Sequence, residues 1–190
     1  MVTPTFDISQ NNRGTAARVT RADGECLRYR LDVVAASTAD VVQSAGGWLY
    51  DRVMAGWEVT VLLPRSCDTR ALRILGVQAL NPEAALDLRE STSQSLAVSA
   101  AAFTADASVR EKVLESLGGR LTEVALWGDG WPLAVSRAMT QAQHVLSMAA
   151  RRFKGYALTA AGIRCDSVDP AETLLCDGRS PVDSQLVRLD

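Results

Sequence analysis

Histidine is almost absent: among 190 residues His144 is the only one. A Ser–His–Asp or Cys–His constellation would depend on that single ring, and no residue nearby in sequence offers a carboxylate to orient it. Cysteine is scarce too. Cys26, Cys67, Cys165 and Cys176 lie far apart and form no C-x-x-C pair, so neither a zinc site of short ligand spacing nor a disulfide framework is expected. Neither G-x-G-x-x-G nor G-x-x-x-x-G-K-[ST] occurs, which removes the standard dinucleotide fingerprint and the P-loop. No apolar run approaches the ~18 residues that span a bilayer. The sequence therefore implies no metal, no cofactor and no membrane span.

What is present fits a folded α/β chain. The hydrophobic fraction is 47% and the charged fraction 22%, values of ordinary globular proteins. The net charge of -2 offers no electrostatic surface for nucleic acid or anionic lipid. Basic residues are 18 Arg against 2 Lys, Lys112 and Lys154, a usage expected of a GC-rich bacterial genome. Residues 1–7 carry no basic-then-apolar secretion pattern, and unpaired thiols fit a cytoplasmic setting.

Three segments are expected: a loose N-terminal arm over 1–24 with at best an edge strand at 16–19, one α/β domain over 25–160, and an acidic, largely unpacked tail over 161–190, in which 173–175 and 186–189 are candidates for a short added strand. Leu27, Tyr29 and Leu31 alternate with polar residues before an apolar run at 33–36, the pattern of a strand entering a buried sheet. Ser37 then caps a helix carrying Val41, Ala45, Trp48, Leu49 and Val53 at helical spacing, and Gly56 ends it. A β-branched strand follows at 59–63. The alternation continues: a short helix through Leu72 and Leu75, a strand at 77–80, a turn of helix near 84–88, a strand at 96–98, a helix capped by Thr104, and a strand at 124–127. Trp131-Pro132 opens the longest expected helix, with Val135, Ala138, Ala142, Val145 and Phe153 on one face and Arg137, Gln141, His144, Met148 and Arg151 exposed on the other. This order predicts a three-layer α/β sandwich, Rossmann-like or flavodoxin-like, around a mostly parallel sheet of about five strands.

The stretch 55–62 resembles the helix-to-second-strand passage of Rossmann-like proteins, nucleotide-sugar glycosyltransferases among them. Under a dozen residues carry it, and they reflect general β-α-β wiring. The Gly-rich turn of those proteins has no counterpart at 35–40, where the chain reads Ala-Ala-Ser-Thr-Ala-Asp.

In such a sheet ligands bind beyond the carboxyl ends of the strands. That rule points to the loops 37–40, 65–70, 100–106 and 127–131, with Arg65, Asp68, Arg70 and Asp129 as the candidate ligand-binding residues. Trp127 and Trp131 flank a Gly-Asp-Gly turn, and with Arg137, His144 and Arg151 they form a candidate partner-binding surface, since Trp and Arg favour interfaces. Gly46-Gly47 inside a helix reads as close packing or a kink. The basic run of Arg151, Arg152 and Lys154 reads as complementing a helix C-terminus. Without a nucleophile–base pair, metal spacing or phosphate loop, the leading expectation is a non-catalytic domain that binds a protein partner or a second copy. The alternatives are a small-ligand-binding domain or small enzyme with its site at the strand ends, and a nucleic-acid accessory protein.

Overall fold

A computed structural model describes residues 29–80, 95–119 and 122–177, and the backbone of 186–188. The expected arm at 1–24, its edge strand, the helical turn at 84–88, Cys26 and most of the tail beyond 177 lie outside these residues.

The chain opens with β1 (Arg30–Val34), in which every residue after Arg30 is buried, as in a strand covered on both faces. Ser37 ends the loop that follows: its Oγ accepts the amide of Asp40 at 3.2 Å and starts α1 (Thr38–Met54). Then come β2 (Glu58–Leu62), α2 (Arg70–Ile74) and β3 (Gln78–Leu80), and after them β4 (Ser95–Ser99), α3 (Ala100–Ala105), α4 (Ala107–Gly118) and β5 (Glu123–Trp127). The last part holds α5 (Leu133–Ser136), β6 (Met139–Val145), α6 (Met148–Ala160), β7 (Ala171–Asp177) and β8 (Leu186–Arg188).

The strands form one sheet in the order β3-β2-β1-β4-β5-β7-β6-β8. The first five are mutually parallel, and β7, β6 and β8 add on antiparallel. Leu31, Val33, Val59 and Val61 point into one core with α1, α2 and α6. Val34, Leu62, Leu96 and Val98 point into the other with α3 and α4. This is a three-layer α/β fold.

Four expectations are corrected. The sheet is mixed and eight-stranded; the five anticipated strands are only its parallel part. The long helix from 131 does not form. The helical spacing is overridden by the sheet: β6 pairs with β7 along its length and buries Met139, Ala142 and His144 while Val145 of the expected stripe stays exposed. Ser147 then caps α6 separately, accepting the amide of Ala150. The stretch taken for an unpacked tail is packed where its candidate strand at 173–175 falls within β7, which lies between β5 and β6 with Leu174 1% exposed. Finally, Asp106 rather than Thr104 caps α4, through the amide of Ser108 at 2.7 Å.

Glu172 explains both the misread strand and the paired glycines. Its Oε1 accepts the amide of Gly47 at 2.8 Å and its Oε2 that of Trp48 at 2.7 Å, in the middle of α1. Lys154 Nζ donates to Glu172 Oε1 and to the carbonyl of Gln43, the group an uninterrupted helix pairs with the amide of residue 47. A buried ion pair thus serves one helical turn from the side. Such an approach needs a bare helix face, and a Cβ on Gly47 would lie 2.5 Å from Leu146 Cδ2. Packing, the reading made for this pair, is what the structure has.

Candidate functional site at the strand ends

The strand order reverses between β1 and β4: the chain leaves β1 towards β2 on one side and returns through β4 on the other. Ligands of open α/β sheets bind in the crevice outside that point. Here the crevice holds a cavity of about 300 Å³, at the small end of ligand pockets. Val34, Ala35 and Ala36 line it from β1, Leu62, Leu63 and Pro64 from β2, and Leu96 and Val98 from β4. Ala102, Ala105 and Val109 close it from the helices, and Asp106, Ser108 and Lys112 supply its polar edge.

The sequence builds this space in a simple way. Ser99 ends β4 and caps α3 through the amide of Ala102, so the helix starts beside the strand end. Its alanines are too short to fill the volume below. Asp106 accepts the hydroxyl and amide of Ser108; these two bonds hold its carboxyl below the ordinary carboxylate range. The edge therefore offers an anionic acceptor, a hydroxyl and the ammonium of Lys112, which also pairs with Glu115 at 3.6 Å.

On the other side of the β1 end, Asp40 Oδ1 accepts Trp127 Nε1 at 3.1 Å and Ser44 Oγ at 3.4 Å. Its Oδ2 is buried and unpartnered. Thr38 Oγ1 donates to the carbonyl of Asp68 at 2.7 Å, tying α1 to the β2 loop.

The candidate ligand residues fall around this mouth without converging. Arg65, Asp68, Arg70 and Asp129 are exposed. Asp68 and Arg70 bind each other, guanidinium to carboxylate at 2.7 Å. The amide of Arg70 also donates to Asp68, and together these bonds lower the Asp68 carboxyl. None of the four lines the cavity.

The partner surface is dispersed. Trp127 is buried, and Trp131 is half-buried over Phe103, ring centroids 4.9 Å apart. Arg137 and Arg151 are exposed on different elements. His144, expected on an exposed basic face, is 1% exposed, with Nε2 2.8 Å from Asp51 Oδ2. Burial would raise the Asp51 carboxyl, but hydrogen bonds from His144 and Ser147 outweigh it and hold it below its usual range. Asp51 is the orienting acid that the sequence hid, 93 positions away.

No protein-family model matches the sequence, and no curated protein matches it significantly. The fold, however, has close company. The chain is similar to a deacetylase of the A40926 pseudoaglycone, with a TM-score of 0.55 and 14% identity over 83% of this chain and 100% of that one. A deacetylase–teicoplanin complex gives a TM-score of 0.57 at 14% identity, over 85% of this chain and 99% of that one. A zinc-inhibited form of teicoplanin deacetylase gives 0.56 at 13% identity, with the same coverage. At such identity the likeness establishes the α/β architecture.

It also corrects the leading expectation. A non-catalytic domain working through a protein partner or a second copy does not fit a chain whose neighbours are deacetylases, one of them complexed with the small molecule teicoplanin. The burial of Trp127 removes an anchor of that reading. The alternative, a small-ligand site or small enzyme at the strand ends, fits better. Among the described residues no helix is long and apolar enough to cross a membrane, and Cys67, Cys165 and Cys176 are free thiols.

Of the lining, Ala102, Ala105 and Asp106 fall in the candidate loop 100–106; the residues that sequence reasoning missed are the apolar strand ends, Ser108, Val109 and Lys112. One signal was available: Ser-Ala-Ala-Ala after a β-strand caps a helix and leaves its first turn without bulk.

Proposed function

We propose that this chain binds, at the carboxyl ends of β1, β2 and β4, a small molecule bearing an apolar group of short-acyl size beside a polar head. The apolar cavity at the strand-order reversal carries this reading. Val34, Leu62, Leu96, Val98 and Val109 take the apolar group; Lys112 donates to the head, and Asp106 and the Ser108 hydroxyl oxygen accept from it. A second reading, acyl hydrolysis, is favoured by the likeness to the deacetylases.

The test is titration calorimetry with octanamide and acetamide on the wild type and Ala102→Leu. Octanamide should bind more tightly than acetamide, and the leucine should weaken it about tenfold, ~1.4 kcal/mol, without lowering Tm. Equal binding of octanamide by the two proteins, or none by the wild type, would refute the site. Release of free amine from teicoplanin and from the A40926 pseudoaglycone tests the hydrolytic reading.

A further inference from the structure

Water is activated for acyl hydrolysis most directly by a bound metal ion, and one structural neighbour is a zinc-inhibited form. The donor set at the strand ends does not fit such an ion. Among the described residues no group of three or more His, Cys, Asp and Glu comes together. The single histidine of the whole chain is buried on β6, two strands from β5 in the sheet, with its Nε2 against Asp51. Where β1, β4 and β5 end, the chain places Ala35, Ala36, Ala39, Ala100, Ala101 and Gly128, none of which ligates through a side chain.

Most of the polar groups that are there are already engaged, Asp40 Oδ2 and the exposed Asp129 apart. Ser37 and Ser99 cap helices. Asp68 holds Arg70, and Asp106 holds Ser108. Asp40 accepts an indole N–H, a neutral donor that a cation on the same oxygen would displace. Its other oxygen is buried. Asp40, fixed by Trp127, and the exposed Asp129 together fall short of the three protein ligands that a catalytic zinc requires.

We infer that the strand-end site of this chain takes its ligand without a divalent metal ion, a departure within a fold that deacetylases share. The inference rests on the strand-end reading, and one experiment separates the two. The full chain is dialysed against zinc and, separately, against EDTA; bound metal is counted by mass spectrometry and octanamide binding is titrated in both. The expected result is no stoichiometric zinc, unchanged tryptophan fluorescence on adding zinc, and the same octanamide affinity in EDTA. Zinc that vanishes in Cys165→Ser sits on an exposed thiol and leaves the inference standing. About one equivalent of zinc that is lost in Asp40→Asn, with that variant retaining the wild-type circular dichroism and Tm within a few degrees, would overturn it. So would loss of octanamide binding in EDTA with recovery on zinc addition. Failure of octanamide to bind under either condition sinks the site reading itself and leaves the zinc count to judge the metal.

Discussion

Lys154→Met is the sharpest perturbation of the architecture behind the site. The ammonium serves Glu172 Oε1 and the carbonyl of Gln43, both at 2.6 Å, and the Lys154 and Glu172 side chains are 7% and 2% exposed. Methionine keeps most of the stem's volume and removes only the charge. Glu172 then remains buried with two amides of α1 and no cation, and removing one partner of a buried pair costs about 3–5 kcal/mol. Burial already raises the Glu172 carboxyl against the pull of Lys154 and the two amides, and loss of the ammonium raises it further. The folded variant then binds a proton more readily than the unfolded chain, so this stabilisation is fully present below the unfolded pKa and is lost as pH rises through the folded one. Glu172→Gln added to Lys154→Met removes the stranded charge, so the double variant should be more stable than Lys154→Met alone at pH 7. Urea denaturation followed by far-UV circular dichroism at two pH values reads all three effects. A Lys154→Met protein within about 1 kcal/mol of wild type at pH 7 would refute the reasoning, since an exposed pair is worth no more than that.

Gly47→Ala should cost ~1–3 kcal/mol by overpacking, because its Cβ would meet Leu146 at 2.5, 2.6 and 3.1 Å; truncating Leu146 in the same chain should recover part of the loss, and denaturation of both variants checks it. Asp51→Asn should flatten the acid limb of stability. The Asp51 carboxyl is lower in the folded state than its ordinary value, so its contribution is present above the unfolded pKa of ~3.9 and fades as pH falls through the folded one. A Tm-versus-pH series on that variant that parallels the wild type would contradict this.

The parallel half of the sheet was legible in the sequence because each of its signals is local. Leu31 alternates into a β-branched core, Ser37 caps α1, and Gly56, with φ +91, ends the turn before β2. The antiparallel half was not, because its decisive contacts are long-range. Nothing adjacent to Glu172 announces that Lys154 will neutralise it, so an acidic residue in an acidic stretch read as solvated. His144 likewise sat among Arg137 and Arg151 in the sequence, and its partner Asp51 is on another element. The cavity escaped for a different reason. A pocket is made by side chains that are too small, and Ala100, Ala102 and Ala105 read as a loop around a Thr104 cap until a sheet lies under them.

The two faces of the sheet are built differently, and the difference bears on where a ligand goes. Against α1, α2 and α6 the sheet carries buried pairs: Glu172 with Lys154 and two amides, Asp51 with His144, and one oxygen of Asp40 with Trp127. A ligand entering there must break bonds that the fold itself uses, and each buried group left unsatisfied costs ~1–3 kcal/mol. Against α3 and α4 the upper layer ends in Val34, Leu62 and Val98 under short alanines. Filling that space displaces no protein hydrogen bond and removes apolar surface from water at ~25 cal/mol per Å². The same accounting says what Ala102→Leu does: the leucine occupies the volume that the ligand's apolar group would take, in a place where added bulk meets space instead of a packed neighbour. Affinity and stability should therefore move in opposite directions in that variant. A fall in both would mean that the cavity closes in solution, and that the strand-end site belongs instead to the exposed loops bearing Asp68 and Asp129.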